Sequence, residues 1–178
     1  NKHFYYNQKI NCLKASGNAY FNGKTYSLDD CYGVLDWGRG VWTYSNTWYW
    51  SSLNVKQGEN LIGWNLGYGF GDTSAASENM IFVDGVAHKL DRVTFNIPQT
   101  PDGKDDFLKP WTFTSSDGRF EMDFLPILDR ASCTDVKLIC SDQHQVFGKF
   151  TGKIVLDDGT VIHLKDFVGF AEKVHNKW

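Results

Sequence analysis

Hydrophobic and polar side chains alternate along much of this chain, and this alternation is the feature that most limits its possible folds. In GRFEMDF, residues 118–124, three large apolar side chains face one way and two acidic side chains face the other, as in a strand with one buried face. The pattern continues on both sides of the Asp-Asp-Gly turn at 157–159, which predicts a β-hairpin within residues 144–170. We therefore expect mainly antiparallel strands.

Turn signals recur at short intervals and favour a meander of such strands. They are the glycine-containing turns at 22–23, 56–58, 83–85 and 117–118. Only DTSAASEN, residues 72–79, has a helix start signal, because Asp72 is a possible N-cap followed by small residues. Residues 98–110 hold three of the four prolines, so we expect an exposed connection there. The sequence thus predicts an all-β chain with at most one short helix.

The stretch GWNLGYGFGD, residues 63–72, favours a curved sheet over a flat one. Trp64, Leu66, Tyr68 and Phe70 share one face of the predicted strand, whereas asparagine and glycine occupy the other. A strand that is nearly bare on one face suits strong coiling, and closure of the sheet protects its edges. We therefore predict an antiparallel β-barrel.

Length and composition exclude several classes of protein. A chain of 178 residues with 42% hydrophobic content suits one packed domain, residues 1–178. The formal net charge of -3 provides no basic surface for a phosphate backbone. No apolar run reaches the ~18 residues of a membrane span. We expect no nucleic-acid partner and no membrane span.

The start of the chain and the cysteines bear on cellular location. The start NKHFYYNQKI lacks the basic and apolar regions of a secretion signal, and the missing initiator methionine leads us to expect an upstream segment. The chain has no N-x-S/T sequon and no CxxC pair, so free buried thiols are favoured over disulfides. The cysteines are Cys12, Cys31, Cys133 and Cys140. Together these features predict a cytoplasmic protein.

Residues 32–50 contain four of the seven tryptophans together with Asp36 and Arg39. Rigid rings with a few polar groups are the usual lining of a small-molecule site, so we place Asp36 and Arg39 at the mouth of an aromatic pocket. The alternative is a tryptophan-rich core in which an Asp36–Arg39 ion pair only staples a loop. The predicted ligand-binding residues are Trp37, Trp42, Trp48, Trp50 and Tyr68.

Further candidates for acid–base chemistry are polar residues near predicted strand ends: Asp72, His144, Glu172 and His175. A structural interpretation is also open, with Asp72 as a helix cap and the histidines as hydrogen-bonded scaffold. The chain lacks HExxH, GxSxG and phosphate-loop motifs. We therefore predict no metal and no cofactor, and any catalysis would be acid–base chemistry in an apolar pocket, where burial raises carboxyl pKa values.

Several long blocks of sequence resemble one known family. They are YGVLDWGRGVW, NLGYGFGDTSAASEN, FVDG with HKLDRVTF, DGRFEMDFLPILDRAS, SDQHQVFGKFTGKIVLDDGT and GFAEKVHNKW. From about residue 7 to residue 178 the chain is similar to the C-terminal portion of the bacterial domain-of-unknown-function family 2804 (DUF2804). The resemblance implies one half of a longer two-barrel protein and, more distantly, a lipocalin-like (calycin-type) barrel similar to those of carotenoid hydratases. It implies no catalytic residue.

Three functions remain open at this point. The first is binding of a hydrophobic small molecule, such as a lipid or isoprenoid, with possible acid–base action as a hydratase, isomerase or cyclase. The second is a carbohydrate-binding or carbohydrate-cleaving β-sandwich, because tryptophans and paired carboxylates also suit sugars. The third is a structural half that packs on an N-terminal twin domain or self-associates through an exposed face.

Overall fold

The computed structural model describes residues 3–74 and 76–178, and these residues form strands joined by turns. The strands are β1 (Phe4–Lys14), β2 (Asn18–Phe21), β3 (Lys24–Ser27), β4 (Tyr32–Val41), β5 (Ser45–Gln57), β6 (Asn60–Tyr68), β7 (Met80–Val83), β8 (Val86–Lys89), β9 (Val93–Asn96), β10 (Trp111–Ser115), β11 (Phe120–Asp135), β12 (Cys140–Val155) and β13 (Val161–Lys177). The all-β prediction is confirmed for this part of the chain. The possible helix at 72–79 is a loop where it is described, and Ala75 within it lies outside the described residues.

Nine strands form one antiparallel sheet in the order β8-β7-β6-β5-β13-β12-β11-β10-β9. Every pair of neighbours is consecutive along the chain except β5 and β13. The two edge strands, β8 and β9, are joined by only the three residues 90–92, so the sheet must curl until its ends approach each other. The result is a curled half-barrel in which β8 and β9 remain edge strands.

The predicted turns are confirmed as hairpin connections. The pairs β2–β3, β5–β6, β7–β8, β10–β11 and β12–β13 are antiparallel neighbours in the structure. Asp84 and Gly85 both have positive φ, 50° and 82°, the backbone geometry that a two-residue hairpin loop requires. Local turn chemistry therefore determines most of the strand order.

The core fills the middle of the half-barrel with aromatic rings. Trp64 meets the rings of Phe120 and Phe150 edge-on, at centroid distances of 5.1 and 5.0 Å. Each such pair contributes about 0.5–1.5 kcal/mol beyond its buried area. Phe120, Met122 and Phe124 point into this core, as their alternation predicts. The centre of the sheet is therefore packed with side chains.

A two-stranded ribbon, β1 paired with β4, packs on the outer face of β5 and β6. Asn11 anchors it, because its amide nitrogen donates to Ser52 Oγ at 2.9 Å and to the carbonyl of Trp64 at 2.8 Å. Asn11 lies in a β-bulge between Ile10 and Leu13, and bulges re-aim side chains in this way. The ribbon and the sheet enclose the first pocket described below.

All four cysteines are free thiols, as predicted, but their predicted burial is wrong for two of them. Cys31 and Cys133 are exposed, whereas Cys12 and Cys140 are half-buried. The exposed pair lies where no core is present to cover it: Cys31 follows the β2–β3 hairpin and Cys133 lies near the far end of β11. In the described part of the chain, no helix has the length and hydrophobicity needed to cross a membrane.

Candidate functional site

An aromatic pocket of ≈ 250 Å³ lies between the ribbon and the outer face of the half-barrel. Alternation along β5 builds its floor, since Trp48 and Trp50 point outward whereas Ser51 and Leu53 point to the core. The lining residues are Tyr5, Lys9, Asp36, Gly38, Trp42, Trp48, Tyr49, Trp50, Tyr68, Phe70, Glu78 and Glu172. The volume is slightly below the ~300–1,000 Å³ of most small-molecule sites, so the pocket suits a small ligand or one end of a larger one.

Four rings form the apolar wall of this pocket. Phe70 is central, because its ring lies 4.5 Å from Tyr5, 6.0 Å from Trp42 and 5.5 Å from Trp48. Phe70 does not share a face with Trp64, contrary to the prediction, because Gly69 has a φ of +91° and ends the regular alternation. A Cβ on Gly69 would lie 2.6 Å from the carbonyl oxygen of Thr47. Glycine is therefore required for Phe70 to reach the pocket.

A single lysine balances two of the three carboxylates in the pocket. Lys9 Nζ lies 2.7 Å from Asp36 Oδ2 and 3.8 Å from Glu78 Oε2. The same ammonium group lies 4.2 Å from the ring centre of Trp50, a distance typical of a cation–π contact. The lysine side chain is only 11% exposed and Asp36 is 34% exposed, so the pair is partly shielded from water.

The Asp36–Arg39 pairing considered from the sequence is replaced by the Lys9–Asp36 pair. Asp36 and Arg39 belong to one regular strand, β4, and not to a turn. Residues three apart in a strand point to opposite faces, so Asp36 faces the pocket whereas the Arg39 guanidinium lies 6.0 Å from the ring centre of Tyr6. Trp37 is on that same outer face of the ribbon, 47% exposed and edge-on to Tyr6, and it does not line the pocket.

Glu172 supplies the third carboxylate, on the outer face of β13. Its Oε1 accepts a hydrogen bond from Trp48 Nε1 at 3.2 Å, and its Oε2 accepts one from Gln145 Nε2 at 3.1 Å. Burial raises the pKa of Glu172 above its ordinary value of 4.5, and the charge of Asp36 adds to this, although the two hydrogen bonds and Lys9 oppose it. The raised pKa suits Glu172 to holding and releasing a proton nearer neutral pH.

The hydroxyl of Tyr5 has a raised pKa, which reflects its burial and the negative charge of the pocket. Burial raises the pKa of its hydroxyl, and the carboxylates of Asp36 and Glu78 raise it further. Both effects oppose ionisation of the Tyr5 hydroxyl. With three carboxylates and one lysine, the pocket attracts positive charge.

Tyr68 closes one end of the pocket and belongs partly to the core. Its ring stacks on Tyr49 at 4.4 Å, and its hydroxyl accepts a hydrogen bond from the backbone N–H of Phe95 at 3.2 Å. Burial raises the pKa of Tyr68 to about 12. It therefore stays protonated at neutral pH and contributes a wall and a fixed hydroxyl.

Three other predicted residues lie elsewhere. Asp72 is in an exposed loop and accepts a hydrogen bond from the backbone N–H of Ser74 at 2.9 Å, and hydrogen bonds from Ser74 lower its pKa. His144 and His175 lie on the inner face of the half-barrel, in a second cavity. Within residues 3–74 and 76–178, no three or more His, Cys, Asp and Glu side chains are grouped to hold a metal ion.

Comparison with known proteins places the chain in one family. The family described as Domain of unknown function (DUF2804) matches residues 1–178, the whole of the chain. The chain belongs to the DUF2804 family. No curated protein matches it, and no solved structure does. The roles of residues in this DUF2804 domain therefore have to be argued from its own pockets.

Sequence reasoning about the DUF2804 domain missed six residues that line the aromatic pocket: Tyr5, Lys9, Gly38, Tyr49, Phe70 and Glu78. A signal for two of them is present, because Tyr5 and Lys9 fall on one face of the alternating stretch FYYNQKI at the start of β1. Glu78 follows an irregular loop, so no alternating pattern in the sequence predicts which way its side chain points. Its carboxylate accepts a hydrogen bond from Asn7 Nδ2 at 3.0 Å, a contact between residues 71 positions apart.

Proposed function

We propose that this DUF2804 domain is a lipocalin-like domain that binds a hydrophobic small molecule in the aromatic pocket and exchanges a proton with it through Glu172. One observation carries the proposal. The carboxyl group of Glu172 is hydrogen-bonded by two neutral donors, Trp48 and Gln145, whereas the lysine of the pocket is paired with the other two carboxylates. Glu172 is thus the acid whose proton a ligand can take.

The ligand class follows from the charges that surround the rings. Protonation of a carbon–carbon double bond by the Glu172 carboxylic acid forms a C–H bond and leaves a carbocation, with the acid becoming a carboxylate. Aromatic faces stabilise such a cation, and Lys9 over Trp50 already shows a positive group in that position. Addition of water, loss of a neighbouring proton or attack by a second double bond then gives a hydratase, isomerase or cyclase. A lipid or isoprenoid supplies such a double bond.

The size of the pocket limits how this ligand is held. A volume of ≈ 250 Å³ holds one end of a long chain, and the remainder leaves through the opening between ribbon and sheet. The free thiols of the chain favour a reducing compartment, and we therefore assign the domain to the cytoplasm as part of this proposal.

Titration with a pair of matched probes tests the proposal. We expect farnesylamine, whose ammonium group mimics the cation, to bind at least about tenfold more tightly than farnesol, since a desolvated cation–π contact contributes about 2 kcal/mol. Quenching of tryptophan fluorescence measures both affinities. Trp48→Phe, in the pocket, should weaken binding of farnesylamine. Trp37→Phe, outside the pocket, is the matched control and should leave binding unchanged. Equal affinity for the two probes, or no binding of either, contradicts the proposal.

The outer face of the ribbon favours a second role, packing on a twin domain or on another copy of the chain. Most of its side chains are apolar, although Arg39 lies among them, and the exposed rings and aliphatic groups are Phe4, Tyr6, Leu35, Trp37 and Val41. A patch of this kind usually marks an interaction surface. Sedimentation velocity over a range of concentrations tests it: we expect self-association of the isolated chain that Trp37→Glu abolishes. A monomer at every concentration argues against this role.

A further inference from the structure

The inner face of the half-barrel changes from apolar to polar at one level across three neighbouring strands. On β12 the inward side chains run from Phe150 and Val146 to polar residues, and β13 changes at the same level, after Ala171. On β5 this level is occupied by Ser51, whose hydroxyl donates to the carbonyl of Phe170, and Tyr49 and Thr47 follow it. Cross-strand pairing arranges the polar side chains in two rows: His144, Lys173 and Tyr49 in the first, and Asp142, His175 and Thr47 in the second. Polar side chains inside a half-barrel are costly unless they are hydrogen-bonded to each other, to water or to a ligand.

These polar side chains form the floor of a cavity of ≈ 700 Å³, well within the ~300–1,000 Å³ of small-molecule sites. The connection between β9 and β10 forms the opposite wall, with Gln99, Gly103, Lys104, Asp105 and Phe107. The sequence predicted this connection only as an exposed excursion. The structure gives it a second role as the cover of a cavity.

Both lysines that line the cavity are paired with carboxylates. Lys173 donates to Asp105, and although burial lowers the pKa of Lys173, this hydrogen bond gives a net rise. Lys104 lies 3.3 Å from Asp102, and His144 Nδ1 lies 2.7 Å from Asp129 Oδ2. The lining contains two lysines, Lys104 and Lys173, and two carboxylates, Asp105 and Asp142, so it carries no net formal charge and suits a neutral polar ligand better than an ion.

The polar groups that remain are suited to hydroxyl groups. Asp129 holds Nδ1 of His144, so Nε2 of that ring is available and lies 3.7 Å from Asp142 Oδ1. In the tautomer that carries its proton on Nδ1, Nε2 is an acceptor like the Asp142 carboxylate, so the two atoms do not hydrogen-bond to each other and can accept from neighbouring hydroxyls of one ligand. Phe107 stacks on the His144 ring at 3.9 Å and 14°, which fixes its orientation. The Nδ1 atom of His175 is similarly held by the Thr47 hydroxyl at 2.8 Å.

We infer that this inner cavity is a second binding site, separate from the aromatic pocket, for a neutral polyhydroxylated ligand such as a sugar. Asp142 and His144 bind neighbouring hydroxyls, and Lys173 and Asp105 contribute a donor and an acceptor from one ion pair. Adjacent residues of β13, Glu172 and Lys173, thus serve sites on opposite faces of the same sheet.

Calorimetric titration with four probes tests the site: the neutral sugars glucose and maltose, the anion glucuronate and the cation glucosamine. We expect a neutral sugar to bind more tightly than either charged probe. Asp142→Asn should weaken that binding at least about tenfold, because it converts a hydrogen bond to a charged acceptor into a neutral one. The control is Asp123→Asn, an exposed aspartate on the outer side of β11, which should leave it unchanged.

The carboxylate of Asp142 is 46% exposed, so its replacement should not unfold the protein, and the melting temperature verifies this. His144→Gln is a second variant that keeps a hydrogen-bonding group beside Asp129, and it should weaken binding in the same direction. Tighter binding of a charged probe, failure of both neutral sugars to bind, or unchanged affinity in Asp142→Asn each overturns the inference. Trp48→Phe should leave sugar binding unchanged, which separates this test from that of the aromatic pocket.

Discussion

Replacement of Glu172 by glutamine should make the protein more stable relative to wild type as the pH rises. Burial raises the pKa of Glu172, so the folded protein holds this proton more tightly than the unfolded chain does. Stability falls with rising pH wherever the folded state binds more protons. This loss starts near the ordinary pKa of 4.5 and ends above the raised pKa. Glutamine is neutral throughout and does not undergo it.

The contacts of Glu172 give the size of the effect. At low pH both proteins carry a neutral side chain, and the variant differs by about 1 kcal/mol or less, because one of the two hydrogen bonds from Trp48 and Gln145 has to rearrange. For a single titrating group, the difference in unfolding free energy then grows by at most about 1.4 kcal/mol per pH unit. It becomes constant once Glu172 is ionised in the folded protein.

Urea unfolding of both proteins at several values between about pH 4 and pH 8 measures this difference. The matched control is Glu59→Gln, since the Glu59 side chain is 98% exposed and its contact with Lys56 is 4.0 Å long. An exposed pair of this kind contributes ~0–1 kcal/mol, so its pH profile should follow that of the wild type.

One outcome refutes this reasoning. If Glu172→Gln loses stability relative to wild type as the pH rises, then the folded protein stabilises the Glu172 carboxylate as an anion. Lys9 would then dominate over burial, and the assignment of Glu172 as the proton donor would fail with it. A difference that does not change with pH would show that the folded and unfolded states hold this proton equally.

Three further changes have outcomes that the packing dictates. Lys9→Met should lower the free energy of unfolding by about 2 kcal/mol. This is less than the ~3–5 kcal/mol lost when a fully buried ion pair is broken, because Asp36, the main partner of Lys9, is 34% exposed. If urea unfolding shows no loss, the pair is not shielded from water. Gly152→Ala should lower the free energy of unfolding by more than about 2 kcal/mol, because its Cβ would lie 2.1 Å from a backbone carbonyl of β11. Gly33→Ala is the control and should lower it by less than about 1 kcal/mol, because the one atom near its Cβ is 3.9 Å away. Equal melting temperatures of the two variants would contradict this. Iodoacetamide at about pH 8 should modify Cys31 before Cys12, because Cys31 is exposed and burial raises the pKa of Cys12 to about 11. Peptide mapping that finds Cys12 modified first would refute this prediction.

Patterns of period two and turn residues were sufficient to predict the strands that face the core. Phe120, Met122 and Phe124 lie in the core because each step along a strand reverses the side chain. Closure of the sheet was not predictable in the same way. It depends on whether β8 and β9 pair, and both have only four residues, so neither carries a pattern long enough to indicate a partner.

The candidate site was most predictable where its residues share a strand with a clear alternation. Trp48 and Trp50 fall on one face of β5, and the structure brings them into the pocket. Asp36 and Arg39 are near each other in the sequence, but the strand separates them onto two faces. The true partner of Asp36 is Lys9, on a different strand, and a contact across strands depends on a register that no local sequence specifies.

The pairing of β5 with β13 has a consequence for how the protein acquires its sites during folding. Every other neighbour in the large sheet follows its partner closely in the chain, whereas the seam between these two strands joins residues such as Ser51 and Phe170, 119 positions apart. Contacts of long sequence separation form slowly, because the chain must lose much of its freedom before they are made. The aromatic pocket and the inner cavity both straddle this seam. Neither site is complete in a chain in which strands β5–β8 and strands β9–β13 have paired among themselves but not with each other, so ligand binding reports that this seam has formed.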